Sequence, residues 1–147
     1  MSSLERKLEK LNLLIERLRN EASAGALLIV EGEKDVESLK AIGVENNNII
    51  AFKSLRKNFY DLVDEISSAN REVILLVDFD RRGRELMERL AKILEEIGVK
   101  VNAFFWKNFH DLLNADVKDI EGLVTYLGNL RRKVEKQFSY SICKISD

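Results

Sequence analysis

Acidic side chains follow directly on two short apolar runs of the sequence. Glu31 comes after residues 27–30, and Asp78 and Asp80 come after residues 73–77. Two acids separated by one residue cannot both continue a buried strand without placing charge in the core, so they must lie where the chain emerges. Because ligands of open parallel sheets bind at the carboxyl ends of the strands, we expect Glu31, Asp78 and Asp80 to face one space above the sheet.

Three carboxylates in one place repel one another unless a cation neutralises them. Magnesium suits such a site, because it is a hard cation that accepts a few carboxylates together with water and substrate phosphate. The sequence therefore predicts Glu31, Asp78 and Asp80 as the metal-binding residues. The ligands would hold one or two Mg²⁺ ions, and Mn²⁺ is expected to substitute.

Basic side chains and a glycine follow the second acidic segment. A charge run of this kind is typical of a solvated face, but its position beside a phosphate-binding turn also favours phosphate contact. Gly83 stands where the turn enters a helix, so a phosphate can approach the backbone amides closely there. We predict phosphate or nucleic-acid contacts at Arg81, Arg82, Gly83 and Arg84.

Three more basic residues, Lys53, Arg56 and Lys57, follow the second predicted strand on the same edge of the sheet. Their position gives them a similar claim to phosphate contact, weaker than that of the arginines. We assign Lys53, which comes first after the strand, to the predicted site.

Several polar residues also have ordinary structural explanations. Asp78 and Asp80 alone would fit a solvated strand-to-helix turn capped by aspartate, and Asp35 is expected to cap the following helix rather than bind metal. Trp106 ends the fourth predicted strand, where core or edge packing is favoured over stacking on a base. His110 has no visible catalytic partner and receives no role.

The elements that must position these residues alternate along the chain. Helical spacing of apolar residues predicts helices over 4–20, 35–42, 58–68, 86–97 and 108–137, the last with Asp119 as its N-cap. Short apolar runs predict strands over 27–30, 49–52, 73–77 and 99–105. Three strand–helix repeats imply an α/β fold with a parallel sheet, right-handed crossovers and helices on both faces. We divide one compact domain into an N-terminal helix (1–24), a core (25–107) and a C-terminal helical extension (108–147).

Composition excludes several classes of protein. Hydrophobic residues make up 46% of the 147 residues, and no apolar run is long enough to span a membrane. Acids and bases nearly cancel to a net charge of -1, so attraction to nucleic acid must come from local patches and metal ions. The single cysteine, Cys143, and a charged amino terminus unlike a signal peptide lead us to expect a cytoplasmic protein.

The chain resembles the Toprim domain over about residues 26–105. The resemblance lies in two segments that occur in the family's order and at a plausible separation, Ile29-Val30-Glu31-Gly32 and Val77-Asp78-Phe79-Asp80-Arg81-Arg82-Gly83-Arg84. The Toprim domain is shared by bacterial-type primases, type IA and type II topoisomerases, OLD nucleases, RecR repair proteins and ribosomal RNA maturases. The chain is most similar to the small stand-alone Toprim proteins, especially those of archaea.

This resemblance implies a Rossmann-like Toprim fold of about four parallel strands, with extra helices at both ends of the chain. It implies that Glu31, Asp78 and Asp80 are the catalytic residues. Glu31 would be a general acid or base or a ligand of the first metal, and Asp78 and Asp80 would hold the metals that neutralise a scissile phosphate. The expected function is magnesium-dependent action on nucleic-acid phosphodiesters, as a small nuclease or an RNA- or DNA-processing factor. The alternative is a non-catalytic nucleic-acid-binding or docking module of a processing or repair complex.

The chain also departs from the larger Toprim enzymes. Arg82 stands where type IA topoisomerases carry another acid, and the sequence lacks the zinc-binding cysteines of a primase and the length for a topoisomerase's tyrosine-bearing domains. Nucleotide binding without turnover ranks lowest, because no glycine-rich phosphate loop follows the first strand. We expect DNA or RNA as the partner, with a nucleic-acid-processing protein complex as a second partner and no membrane. We expect a monomer, because one domain must cover both faces of its sheet.

Overall fold

Four parallel strands form the centre of the structure, a computed structural model that describes residues 1–53, 58–113 and 115–146, with the backbone alone for residues 141 and 143–146. The strands lie side by side in the order β2-β1-β3-β4. Their bounds are Leu27–Val30 for β1, Ile49–Ala51 for β2, Val73–Leu75 for β3 and Val101–Asn102 for β4. The predicted contacts Arg56 and Lys57 lie outside the described residues.

Six α-helices cover this sheet within the described part of the chain. They are α1 (Ser3–Ser23), α2 (Glu33–Ala41), α3 (Phe59–Ala69), α4 (Arg81–Glu96), α5 (Phe104–Leu112) and α6 (Ile120–Ser146). Helices α3 and α4 contact each other, whereas α1, α2, α5 and α6 form a second connected group. With right-handed crossovers these groups cover opposite faces of the sheet, so the predicted Rossmann-like α/β fold is confirmed. None of the helices in the described ranges is both long and apolar enough to cross a membrane.

Strand β1 occupies the centre because its apolar residues have neighbours on both sides. Leu28 is in register with Ile49 of β2 and with Ile74 of β3, and Leu28 and Ile74 are completely buried. A strand buried on both faces is typical of parallel sheets and requires an unbroken apolar run. The run ends at Glu31, which therefore leaves the sheet at its carboxyl edge.

The terminal helices share one hydrophobic core with the sheet. Leu11 and Leu18 of α1 and Leu123 of α6 belong to the same buried cluster as the strand residues, and α1 contacts both α5 and α6. Burying each leucine contributes roughly 2 kcal/mol. The apolar stripe of α1 thus packs within its own chain.

The predicted fourth strand is wrong beyond residue 102. Strand β4 ends at Asn102, whose side-chain Oδ1 accepts a hydrogen bond from the Phe104 backbone N–H at 2.9 Å, and α5 begins there. Trp106 therefore lies in a helix and not at a strand end. The helix predicted over 108–137 is likewise two helices, α5 and α6. A short apolar run fits a buried strand or a buried helix equally well, and here the Asn102 side chain decides.

Helix α4 begins five residues before its predicted start. The Asp80 side chain accepts the Gly83 backbone N–H at 2.7 Å, as expected of an N-cap residue, so Arg81, Arg82 and Gly83 form the first turn. The charged first turn has no apolar periodicity, which is why the sequence pattern missed it. The basic residues next to Asp80 are thereby fixed on a helix at the carboxyl edge of the sheet.

The sequence analysis explained Gly83 by phosphate approach, and the structure adds a steric reason for a glycine at this position. A Cβ atom at this position would lie 1.8 Å from the Asp78 carbonyl oxygen and 2.6 Å from its carbonyl carbon. Gly83 is buried, and its N–H is donated to Asp80. The glycine thus lets the first turn of α4 pack against the end of β3.

Replacement by alanine is predicted to change the free energy of unfolding in opposite directions at two helical glycines. Gly83→Ala should lower the free energy of unfolding by about 1–3 kcal/mol, because the clash is with backbone that has little room to move. Gly128→Ala in α6 should raise it by about 0.5–1 kcal/mol, because a Cβ there meets nothing within 4 Å and alanine favours helix. Urea denaturation measures both, and a stabilising Gly83→Ala would contradict the described packing.

Candidate functional site

Glu31 and Asp78 meet where the neighbouring strands β1 and β3 end. The β1–β3 pairing continues past β3, since the Leu76 N–H donates to the Ile29 carbonyl at 2.8 Å. The Asp78 backbone N–H then donates to Oε2 of Glu31, also at 2.8 Å. Glu31 is only 3% exposed, so its carboxylate forms a buried link between the two strand ends. The structure brings these two predicted residues together.

The other oxygen of Glu31 faces two basic side chains. Its Oε1 lies 3.1 Å from Nζ of Lys53 and 3.4 Å from Nη2 of Arg82. Lys53 is placed there by the β1–β2 pairing, because its backbone N–H donates to the Glu31 carbonyl at 3.0 Å, and Arg82 is placed by the first turn of α4. A buried carboxylate is costly unless it is paired, and these two cations provide the pairing. Lys53 and Arg82, two of the residues predicted to contact phosphate, therefore lie inside the site.

Besides Glu31, two other carboxylates place negative charge around Asp78. The pKa of the Asp78 carboxyl is raised from its ordinary value of 3.8 to about 7, first by burial and then by the charge and hydrogen bond of Glu31 and the charges of Asp35 and Asp119. We call Glu31, Asp35, Asp78 and Asp119 the acidic cluster. The raised pKa of Asp78 means that the cluster concentrates negative charge that a nearby cation would stabilise.

Asp35 and Asp119 join the cluster through helix starts. The sequence predicted Asp35 as the cap of α2, but the N-cap is Gly32 and Asp35 is the third residue of the helix. Its Oδ2 accepts the Gly32 N–H at 3.3 Å, and its Oδ1 accepts the Glu121 N–H of α6 at 3.1 Å. Burial raises the pKa of the Asp35 carboxyl in spite of these two bonds. Asp119 accepts the Gly122 N–H at 2.7 Å, the bond expected of the predicted N-cap of α6.

Asp80 lies beside the acidic cluster in the role of a helix cap. Its Oδ1 is occupied by the Gly83 N–H, so only its other carboxylate oxygen is left for a cation. Among the described residues, no three aspartate, glutamate, histidine or cysteine side chains are grouped as a preformed metal site. The capped strand-to-helix turn, the ordinary explanation for Asp80, is thus present whether or not a metal binds.

Comparison with known proteins assigns most of the chain to a family. A family model described as Toprim-like matches residues 28–117, which contain Glu31, Asp78 and Asp80. The chain belongs to the Toprim-like family. The resemblance read from the two sequence motifs is therefore confirmed, and family membership indicates a nucleic-acid-related function.

The Toprim-like chain has archaeal relatives of similar length. A UPF0292 protein of Methanosarcina barkeri is 32% identical over 136 residues, which cover 90% of this chain and 93% of the relative. A UPF0292 protein of Methanocaldococcus jannaschii is 41% identical over 120 residues, or 81% of this chain and 91% of the relative. These matches confirm the predicted similarity to small stand-alone archaeal Toprim proteins.

A solved structure shares the Toprim-like fold. A protein from Aquifex aeolicus superposes with a TM-score of 0.62 and 28% sequence identity. The match covers 75% of this chain and 94% of the other.

Arg81 and Arg84, which were also predicted to contact phosphate, have different neighbours in the Toprim-like protein. Arg81 is almost fully exposed and pairs with Glu85 at 3.5 Å, an arrangement typical of a solvated helix face. Arg84 instead turns toward α5, where its guanidinium lies 5.1 Å from the centre of the Trp106 ring and 3.3 Å from Nε2 of His110. Trp106 is completely buried, so the predicted preference for packing over base stacking is confirmed for this side chain.

Two residues near the site received no site role from the sequence. Asp119 was predicted only as a helix cap, but its charge contributes to the raised pKa of Asp78, and the Phe79 N–H donates to the carbonyl of the preceding Lys118 at 2.6 Å. His110 comes near the site because α5 begins at residue 104, where the sequence pattern predicted the end of a strand. A helical reading of residues 104–112 was the one signal that would have brought His110 and Trp106 to the same face.

The raised pKa of Asp78 predicts a pH-dependent stability in metal-free buffer. Because this pKa rises from 3.8 to about 7 on folding, the folded state binds more protons between these values, and Asp78 lowers the free energy of unfolding as pH rises through them. Asp78→Asn removes this titration. We expect the variant to become more stable relative to wild type on going from about pH 5 to about pH 8, measured by urea denaturation.

Glu31→Gln provides the control for this measurement. In that background the gain from Asp78→Asn between the two pH values should be smaller, because the charge of Glu31 is one cause of the raised pKa. A stability difference that does not change with pH, or that falls as pH rises, would contradict the described environment of Asp78.

Proposed function

We propose that this Toprim-like protein acts on phosphodiester bonds of nucleic acid with Mg²⁺, as a small nuclease or an RNA- or DNA-processing factor. The observation that supports this most directly is the buried Glu31 carboxylate, which joins Asp78 on one side and Lys53 and Arg82 on the other. Acids for a metal and bases for a phosphate are thus combined at one sheet edge. Membership of the Toprim-like family points in the same direction.

Three carboxylates at this sheet edge are ligands of the type that Mg²⁺ prefers. Glu31, Asp78 and the free oxygen of Asp80 would hold one or two ions, and Mn²⁺ would serve in the same place. The raised pKa of Asp78 fits this assignment, because burial and then the neighbouring carboxylates penalise its negative charge, which a bound cation as well as a bound proton would offset. When bound, the ion would neutralise charge on the scissile phosphate and activate the attacking oxygen.

Lys53 and Arg82 are suited to move between Glu31 and a phosphate. Their side chains are 51% and 69% exposed, although the carboxylate that they pair with is buried. A phosphate at the mouth of the site would offer both cations a second anion within reach of the same side chains. Glu31, when released from them, would then be available to exchange a proton with the reacting oxygen or to bind the metal. Arg81, exposed on the same turn, would widen the phosphate contact.

A docking module without chemistry is the second candidate, and one observation favours it. Both oxygens of Glu31 and one oxygen of Asp80 already have partners within the chain, so these three oxygens are compensated by groups of the protein itself. In that case Lys53, Arg82 and Arg81 would bind the nucleic-acid backbone, and the acids would only orient them.

Glu31→Gln separates these two functions. With Mg²⁺ or Mn²⁺ and a panel of single-stranded, duplex and structured DNA and RNA, we expect wild type to cleave at least one substrate and the variant to be slower by about 10²- to 10⁴-fold. Substrate binding should be kept or strengthened, since glutamine leaves Lys53 and Arg82 without an anionic partner. Gel analysis of end-labelled substrates measures cleavage, and fluorescence anisotropy measures binding.

Glu37→Gln is the matched control for that experiment. Glu37 is exposed on α2 and pairs only with Lys40 at 3.7 Å among the ion pairs described, so its replacement should leave cleavage unchanged. If wild type cleaves nothing in the panel with either ion while still binding nucleic acid, the enzymatic proposal fails and the docking module is supported.

A further inference from the structure

Two side chains, His110 and Arg84, lie against Trp106 at the carboxyl edge of the sheet. The His110 ring is stacked on the indole of Trp106, with centroids 5.0 Å apart and planes inclined by 12°. The Arg84 guanidinium lies over the same indole at 5.1 Å. We call His110 and Arg84, backed by Trp106, the stacking layer.

The stacking layer is anchored to the backbone of the candidate site. The indole N–H of Trp106 is directed at the carbonyl oxygens of Val77 and Asp78, at 3.1 and 3.3 Å. Phe79 packs against Trp106 from within the core, with ring centroids 5.9 Å apart. The layer is therefore attached to the same segment that carries the Asp78 carboxylate, and its support is rigid.

Hydrogen bonds hold the two members of the layer in place. Nη2 of Arg84 lies 3.3 Å from Nε2 of His110, and a guanidinium can only donate, so Nε2 is the acceptor. The ring proton then resides on Nδ1, which lies 3.2 Å from Oδ1 of Asp111. His110 is thus fixed from both sides of its ring before any ligand arrives.

The layer is accessible although its support is not. Trp106 is completely buried, whereas the His110 side chain is 35% exposed and Arg84 is exposed. One face of the His110 ring is covered by the indole, so the exposed surface belongs to its other face and its edges. A partly exposed imidazole and a guanidinium, held together over a buried indole, form a surface on which a further flat group can stack.

We propose that His110 and Arg84 bind one unpaired base of a single-stranded nucleic acid by stacking, while its backbone lies against Lys53 and Arg82 of the candidate site. This inference rests on the proposed function and adds a substrate class to it. Bases have π-faces that stack on aromatic rings and on guanidinium planes, and only an unpaired base exposes such a face. The protein would therefore favour single strands, loops or ends over continuous duplex.

Binding of labelled oligonucleotides tests this proposal. Single strands and blunt duplexes of about 12 nucleotides, a length within the range of single-strand sites, are compared by fluorescence anisotropy with Ca²⁺ in place of Mg²⁺. Wild type should bind the single strand more tightly than the duplex. His110→Ala should weaken single-strand binding by about 5- to 150-fold, the usual range for loss of one stacked base, and should leave duplex binding unchanged.

Three comparisons make the experiment specific for stacking. His110→Phe keeps a flat ring and should retain single-strand affinity, and Phe138→Ala removes an exposed aromatic residue of α6 and should have no effect. An oligomer of abasic sugar phosphates should bind wild type and His110→Ala equally. Emission from Trp106, the only tryptophan of the chain, checks that each variant is folded and should change when a base stacks on the layer.

The outcomes separate this inference from the proposed function. If wild type binds oligonucleotides but His110→Ala binds single strands equally well, stacking is overturned and the proposed function stands. The same holds if His110→Ala loses as much affinity for the abasic oligomer as for the single strand. If wild type prefers the abasic oligomer or the duplex, stacking is likewise overturned without recourse to any variant. If wild type binds no nucleic acid of either kind, both proposals fail.

Discussion

Glu31 carries a carboxylate at the end of the central strand, where only 3% of the residue is exposed, and an unpaired charge in that position would cost several kcal/mol. Its partners come from three elements: the Asp78 N–H after β3, Lys53 after β2 and Arg82 from α4. Compensation of this one charge therefore fixes the relative placement of two strand ends and a helix start. The candidate site is the set of groups that this compensation requires.

The same edge satisfies backbone and side-chain needs together. Asp80 caps α4 and so fixes the first turn that places Arg82 beside Glu31, and Gly83 lets that turn approach the Asp78 carbonyl. The indole N–H of Trp106 also donates to the same carbonyl. The segment from Asp78 to Gly83 is thus held by short contacts. Preorganisation of this kind places functional groups without an ordering cost when a ligand binds.

The strand ends of the site could be predicted from sequence because the information is local. An apolar run that stops at Glu31 or at Asp78 must leave the core there, since a carboxylate cannot continue inside it. The helix capped by Asp80 was harder, because its first turn is charged and the signal is the cap rather than periodicity. The segment from residue 99 to 105 was ambiguous in principle, and the Asn102 side chain ended the strand.

The pairings inside the site could not be predicted, because they join segments far apart in the chain. Nothing local to Lys53 indicates that it meets Glu31, and nothing local to Asp119 indicates that it approaches Asp78. These contacts follow from strand order and from the path of the chain before α6, which are tertiary properties. The sequence therefore located the acids and the general position of the bases, and the fold determined which base serves which acid.

Titration calorimetry of Mg²⁺ and Mn²⁺ tests most directly whether the acidic edge is a metal site. Wild type is compared with the double variant Asp78→Asn/Asp80→Asn, in which asparagine at position 80 keeps the helix cap and so preserves the fold. Each titration is repeated with a short oligonucleotide, because Mg²⁺ sites of this kind often complete their ligands with substrate phosphate. We predict binding to wild type that is lost in the double variant. Equal heats in both proteins, or none in either with nucleic acid present, would contradict a metal site at this edge.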